Sequence, residues 1–147
     1  MLGVKVGELV RAIDAVVPLS GAGTWDAVGL QVGDPQREAG AVGVCHEVSA
    51  DVVEVCHQAG IGTLVTYHPL LFRPTRTFLA GPDAGGKAMA LAKQDVSVIS
   101  IHTAFDVARP GTADAYGAAI GGTLVGTFAP VDDEGGAGIG RVFALSA

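Results

Sequence analysis

Positive charge is sparse in this sequence. Nine Lys and Arg stand against fifteen Asp and Glu, and the formal net charge is -6. The nine are scattered, and a surface that follows a nucleic-acid backbone needs them clustered, so direct DNA or RNA binding is not expected. Charge of either sign is scarce too, at 16%, which argues against disorder and against a long solvated helix. Cysteine is limited to Cys45 and Cys56, with no CxxC pair. That excludes a disulfide framework and favours a reducing compartment, hence a cytoplasmic location. No apolar run is long enough to cross a bilayer, so no membrane partner is expected. Lys5 and Glu8 interrupt the segment from Met1 to Val10, which does not read as a signal peptide.

What is abundant is apolar surface and glycine. Hydrophobic residues make up 49% of 147 residues, enough for one domain over 1–147 to bury a core without crosslinks. The low charge beside that content implies that another chain covers part of the surface, and a homo-oligomer is expected. Twenty-two glycines imply tight turns and close packing of helices on strands.

Val6, Leu9, Val10, Ile13, Val16 and Val17 recur at helical spacing, which predicts an amphipathic helix over about 5–17, stopped by Pro18. A loop follows at 20–24, then a short strand at 29–33. Residues 41–48 (AVGVCHEV) read as a strand. Ser49 can cap a helix that Gly60 ends. A strand is expected at 63–67, an irregular loop at 73–86, a short helix at 87–94 and a buried strand at 96–101. Thr112 is placed as the cap of a helix over 113–120. Another strand is expected at 123–128, and a polar, glycine-rich loop at 132–140. This alternation predicts an α/β fold: a layered, mainly parallel sheet flanked by helices, without an internal repeat or a linker.

In such sheets ligands bind beyond the carboxyl ends of the strands. Three expected strands end on groups that bind metals: His46-Glu47, Tyr67-His68, and His102 followed by Asp106. His68 and His102 are 34 positions apart (102 − 68), the length of one β-α-β crossover. That spacing predicts both at the ends of neighbouring strands. His68 and Asp106 are therefore the candidate ligands of a divalent metal, with His102 as a further ligand or as the residue that orients one. The donor types suit Zn, or Mn or Fe where more carboxylate joins. Each residue also has a plainer reading: His68 as a strand-end hydrogen-bonding group, His102 as a satisfied core histidine, Asp106 as an aid to a helix start. Their shared position at strand ends favours the metal reading.

Other features read as structural. His57 is expected to face solvent from mid-helix, and the two cysteines to sit in the core, since nothing cationic flanks them. Residues 136–141 (GAGIGR) superficially resemble a dinucleotide loop but lack a preceding strand and a following helix, and are taken as a flexible turn. Trp25 is expected to anchor its glycine-rich loop on the core, with Asp26 as a cap or a neighbour of the site.

Three ordered motifs carry a resemblance: 25–33 (WDAVGLQVG), 66–72 (TYHPLLF) and 101–106 (IHTAFD). In order and spacing they are similar to the Nif-three-like family, also known as GTP cyclohydrolase I type 2 homologs. Residues 110–115 resemble the family's helix start, and 138–142 its glycine–arginine turn. The resemblance implies a truncated form of the Nif-three-like α/β fold, a dinuclear metal centre and a toroidal hexamer. It places His68 as the second member of a His-His pair, Asp106 as the aspartate of the HTxxD motif, and His102 close to the metals. It departs from the family at Tyr67, where the pair's first histidine is expected, and at 47–49, which read Glu-Val-Ser instead of Asp-Val-Thr. Tyrosine is a poor ligand at neutral pH, with a pKa near ~10. The family's late His and Glu have no counterpart in the residues after Arg141, so the chain is expected to match the N-terminal half of a family member and to hold an incomplete dinuclear site.

Three functions follow as expectations. One is a divalent-metal-binding protein with a leaky site. Another is a metal-dependent hydrolase acting on a nucleotide or phosphate ester once a C-terminal half completes it. The third is a non-catalytic regulatory or assembly protein. A small-molecule or nucleotide ligand is compatible with the first two.

Overall fold

The computed structural model describes residues 3–131 and 138–145. Helix α1 (Val6–Val16) is followed by a 3-10 turn at Leu19–Gly21, strand β1 (Gly29–Val32) and strand β2 (Ala41–Cys45). Helix α2 (Ala50–Ala59), β3 (Ile61–Thr66), α3 (Ala84–Lys93) and β4 (Ser97–Ser100) complete the alternating part. Helices α4 (His102–Val107) and α5 (Thr112–Ala119) lead into β5 (Thr123–Pro130) and β6 (Gly138–Ala144). The four-stranded sheet has the order β1-β4-β3-β2. Strands β2, β3 and β4 run parallel, and β1 is antiparallel to β4. The expected α/β architecture with a mainly parallel sheet is borne out.

The local signals explain most of these elements. Ser49 Oγ accepts from the Val52 amide at 3.2 Å and starts α2. Gly60 ends it at φ +64°, a left-handed backbone that side chains with a Cβ resist. All four residues of β4 are buried, Ser97 and Ser100 included, as the nearly unbroken apolar run over 96–101 predicts. One side of the sheet packs Leu64, Val98 and Val48 against Cys56 of α2 and Ala88 and Leu91 of α3. On another cluster, Val6, Leu9, Val10 and Ile13 of α1 close over Ile99, Ala39 and Leu30.

Several expectations need correction. Strand β2 stops at Cys45 rather than Val48, so His46 and Glu47 lie on a turn. Helix α3 begins at Ala84, inside the expected loop, because the Asp83 carboxylate accepts from the Gly86 amide at 2.7 Å. Thr112 is the first residue of α5 and not its cap. Gly111 holds the cap position, and its amide donates to Asp114 Oδ2 at 2.9 Å.

Helix α4 was not foreseen, since its cap is not local. The Asp26 carboxylate, far away in sequence, accepts from the Thr103 amide at 3.1 Å. At its other end the buried Arg141 donates to the carbonyls of Asp106, Val107 and Ala108 at 3.3, 3.1 and 3.3 Å. Such partners satisfy carbonyls that a helix leaves open.

Residues 138–140, expected in a loop, belong to β6. That strand pairs antiparallel with β5 as a separate two-stranded ribbon. Gly140 is opposite Phe128, and an added Cβ would come within 2.3 Å of the Phe128 ring. Glycine there marks room for a neighbouring aromatic rather than a turn. The expected loop residues 132–137, with them the first two of the supposed GAGIGR turn, lie outside the described residues.

Leu91 is fully buried, whereas Ser49 contributes one cap bond. Leu91→Ala is therefore expected to cost about 2–5 kcal/mol, and Ser49→Ala about 1 kcal/mol. Urea unfolding would show the ranking, and equal midpoints for the two variants would contradict the placement of the core.

Candidate metal centre

The parallel ladder does not stop where the strands do. The Tyr67 amide donates to the Cys45 carbonyl at 3.1 Å, and the His68 amide to the His46 carbonyl at 2.8 Å. The Ile101 amide donates to Thr66 O at 3.1 Å and the His102 amide to Tyr67 O at 3.0 Å. These bonds bring the residues after β2, β3 and β4 side by side. His68 and His102 therefore follow neighbouring parallel strands, with ring centroids 5.5 Å apart. The His46 ring is 4.3 Å from that of His68 and stacks on that of Tyr67 at 5.2 Å.

Three groups present ligand atoms that all lie within 4.8 Å of one another: His46, Glu47 and His68. Among the described residues they form the one such group of three. His68 Nδ1 is 3.7 Å from Glu47 Oε2, too long for a hydrogen bond. Two imidazoles and a carboxylate form a borderline donor set that fits Zn and accommodates Mn or Fe. The residues present therefore fit a divalent ion. The sequence had marked the end of β2 as metal-capable without selecting His46 and Glu47. Read inside a longer strand, they would have pointed to opposite faces. The early stop of β2 puts both on the turn beside His68.

His102 is turned the other way. Its Nδ1 is 2.9 and 3.0 Å from the Asp26 oxygens, and the Asp26 side chain is fully buried. Thr103 adds its amide and its hydroxyl to the same carboxylate. Burial alone would raise the Asp26 pKa. The bonds from Thr103 and His102 outweigh it and hold the carboxyl below its ordinary 3.8. An ionised Asp26 keeps the proton on His102 Nδ1, leaving Nε2 free on the other edge, the arrangement that orients metal-bound histidines.

Asp106 is buried on α4, and both its oxygens face the Tyr67 hydroxyl, at 2.8 and 3.0 Å. Burial first, then the Asp106 bond and charge, push the Tyr67 phenol up to about 12. It stays protonated and donates. The proposed ligands His68, His102 and Asp106 thus share one end of the sheet, yet Tyr67 stands against Asp106 and Asp26 holds His102.

The remaining candidates separate from the site. His57 is exposed, as expected. Cys56 is buried, its thiol pushed up by burial and then by nearby Cys45, which fits a structural role. Trp25 does not anchor on the core. It is 61% exposed and meets Phe72 edge-on at 6.2 Å, while Asp26 beside it is the buried anchor. A cavity of about 230 Å³ lined by Glu47, Val48, His68, Pro69, Leu70 and Lys87 adjoins the triad. The two most voluminous of the other cavities, about 470 and 410 Å³, lie around Arg37, Asp95 and Val96. Val96 precedes β4, so they open at the opposite strand ends, away from these side chains.

Histidines and carboxylates thus gather on the carboxyl edge of the parallel strands of an α/β fold. The chain belongs to the family described as Duf34/NIF3 (NGG1p interacting factor 3), whose profile matches residues 4–147. It is 35% identical over 144 residues to the GTP cyclohydrolase 1 type 2 homolog of Streptomyces coelicolor, covering 97% of this chain and 50% of that protein. It is 30% identical to the homolog of Clostridium perfringens, covering 97% and 54%. The chain thus spans about half the length of these curated relatives. Among solved structures it is similar to reduced HcgD from Methanocaldococcus jannaschii, with a TM-score of 0.79, 28% identity and coverage of 92% and 53%. A Staphylococcus aureus hypothetical protein superposes with a TM-score of 0.78, 29% identity and coverage of 84% and 35%.

Because folding lowers the Asp26 pKa, its ionised form is the one the fold favours. That stabilisation is complete above 3.8, the ordinary value, and fades as pH falls through the lower folded value. The stability gap between the chain and Asp26→Asn is expected to be on the order of 1–3 kcal/mol near neutral pH and to shrink in acid. Denaturant melts from about pH 6 to about pH 3 would measure it, and a gap that widens in acid would refute the assignment.

Proposed function

We propose that this chain binds a divalent cation at the carboxyl ends of β2 and β3, with His46, Glu47 and His68 as its protein ligands. The observation that carries this reading is the convergence of their three ligand atoms within 4.8 Å. Three ligands of this kind leave positions open for water or substrate, the pattern of catalytic rather than structural zinc. His68 belongs both to this set and to the set expected from sequence. His102, oriented by Asp26, faces the His68 ring and supports the site from behind.

Hydrolysis is the second reading, favoured by the cavity of about 230 Å³ beside the triad. A bound divalent ion supplies Lewis acidity and a water acidic enough to ionise near neutral pH. Glu47 and His68 line that cavity, and Lys87 contributes an ammonium at its wall, fixed by a 2.6 Å bond to the Val48 carbonyl. A small anionic or phosphate-bearing ligand suits these neighbours. The relatives named as GTP cyclohydrolase 1 type 2 homologs are about twice as long.

Zn(II) or Mn(II) titrated calorimetrically into the metal-stripped chain is expected to bind, and His46→Ala or His68→Ala to weaken binding at least about tenfold, roughly 1.4 kcal/mol. Binding unchanged in both variants would remove the triad from consideration.

Self-association is proposed as well. The β5–β6 ribbon exposes Val125, Phe128 and Val142, and α5 exposes Tyr116, apolar surface of the kind that another subunit covers. Light scattering is expected to report a multiple of the 14.7 kDa chain mass, and a monomer at high concentration would count against it.

A further inference from the structure

We propose that Trp25 and Phe72 form a stacking platform for a planar heteroaromatic ring, such as a nucleobase, beside the histidine edge. The inference goes beyond the cation reading and does not require a bound ion.

A large aromatic ring contributes most to stability when it is buried. Trp25 is 61% exposed and Phe72 46%, so neither is placed where it would serve the core best. Their exposure does not come from a loose backbone. The Asp26 amide donates to the Gly23 carbonyl at 2.8 Å and closes a turn that contains Trp25. The Gly23 amide donates to the Thr103 hydroxyl at 3.1 Å, and the Asp26 carboxylate accepts from the amides of Ala27 and Thr103. Phe72 is fixed from the other side. The Gln31 side chain donates to the Ala27 carbonyl at 3.0 Å and accepts from the Leu71 amide at 3.1 Å. One side-chain amide thereby staples the segment after Trp25 to the residue before Phe72. The indole also lies close on its own chain, since a Cβ added at Gly23 would come within 2.8 Å of Trp25 Cε2 and Nε1. Both rings are thus held in place while much of their surface stays open to solvent.

The two rings meet edge-on at 6.2 Å with an interplanar angle of 84°. Such a contact uses the edge of one ring and a face of the other, and it leaves a corner between them. A flat guest in that corner finds a π face to stack on. It also finds an aromatic edge, which carries partial positive charge and suits nitrogens or oxygens on the rim of a heterocycle. An aliphatic group gains contact area alone, so the corner favours heteroaromatic rings. The location agrees. Phe72 meets the His102 ring at 6.0 Å, and His102 meets that of His68 at 5.5 Å. The platform therefore borders the carboxyl ends of β3 and β4, the side on which parallel sheets bind small ligands.

The test uses adenosine as the probe and ribose as the control that lacks the base. Adenosine is uncharged, so neither a cation nor Lys87 is needed to hold it. Trp25 is the only tryptophan of the chain, and its emission reports on the platform directly. In the metal-stripped chain adenosine is expected to quench that emission saturably, and ribose to leave it unchanged. Equilibrium dialysis then reads affinity in Trp25→Ala and Phe72→Ala, each expected to weaken adenosine binding at least about fivefold. Circular dichroism checks the fold, and should Phe72→Ala fail to fold, Trp25→Ala decides alone. The proposal is overturned if adenosine does not quench, if ribose quenches equally, or if Trp25→Ala binds adenosine as the parent does. An assembly that light scattering detects in the parent and that Trp25→Ala dissolves also overturns it, because a second copy of the chain then covers the ring. Failure of the metal reading is a separate result. If His68→Ala leaves Zn(II) binding unchanged, the triad falls, and saturable quenching by adenosine in the same chain still upholds the platform.

Discussion

The parallel register of β2, β3 and β4 is the constraint on which the site depends. Each strand is offset so that its ladder continues for about two residues past its regular end, through the amides of Tyr67, His68, Ile101 and His102. Those bonds occupy the backbone groups of the strand-end residues and leave only the side chains free to vary. Three imidazoles and a phenol are thereby packed at centroid distances of 4.3–5.5 Å. Burial on both faces of the sheet, by α2 and α3 on one cluster and α1 on another, keeps this register from slipping. The site is thus preorganised by elements whose own cores lie elsewhere.

Behind the rings stand two carboxylates with opposite fates. Asp26 is buried, ionised and spent on α4 and His102. Its partners are the amides of Ala27 and Thr103, the Thr103 hydroxyl and the His102 imidazole, and the bonds from Thr103 and His102 outweigh the penalty of removing it from water. Asp106 also lies inside, but its side chain meets a neutral phenol. Glu47 alone of the three reaches solvent. Electrostatic availability at this edge therefore rises from the interior outward, and the exposed acid sits beside the exposed imidazoles.

Much of the fold was legible because it follows local rules. Apolar periodicity marked α1, a serine cap and a glycine stop bounded α2, and a nearly unbroken apolar run marked β4. The crossover spacing between His68 and His102 correctly placed them on adjacent strand ends. What escaped was decided at long range. Helix α4 takes its cap from Asp26 and its closing donors from Arg141, neither of which is near it in sequence. Strand β6 is rich in glycine for the sake of the Phe128 ring, a reason visible only when the two strands are paired. His46 and Glu47 were marked as a metal-capable strand end but not chosen as ligands, and β2 stops three residues earlier than expected, which places both on the turn beside His68. Trp25 misled in the other direction: its loop is anchored by the small buried Asp26 beside it, while the large ring remains outside.

Arg141 ties the last described strand to the helix that carries Asp106, across 35 positions of sequence. During synthesis from the N-terminus the sheet, α1, α2 and α3 can all assemble before that arginine has been made. The triad side of the site draws its side chains from His46, Glu47 and His68, and its supporting sheet and helices end at β4. The aspartate side has its helix closed only after β6 arrives, and closing that long loop comes at an entropic cost that the earlier contacts do not carry. The end of the sheet that carries His46, Glu47 and His68 is thus complete in sequence well before the residue that closes α4.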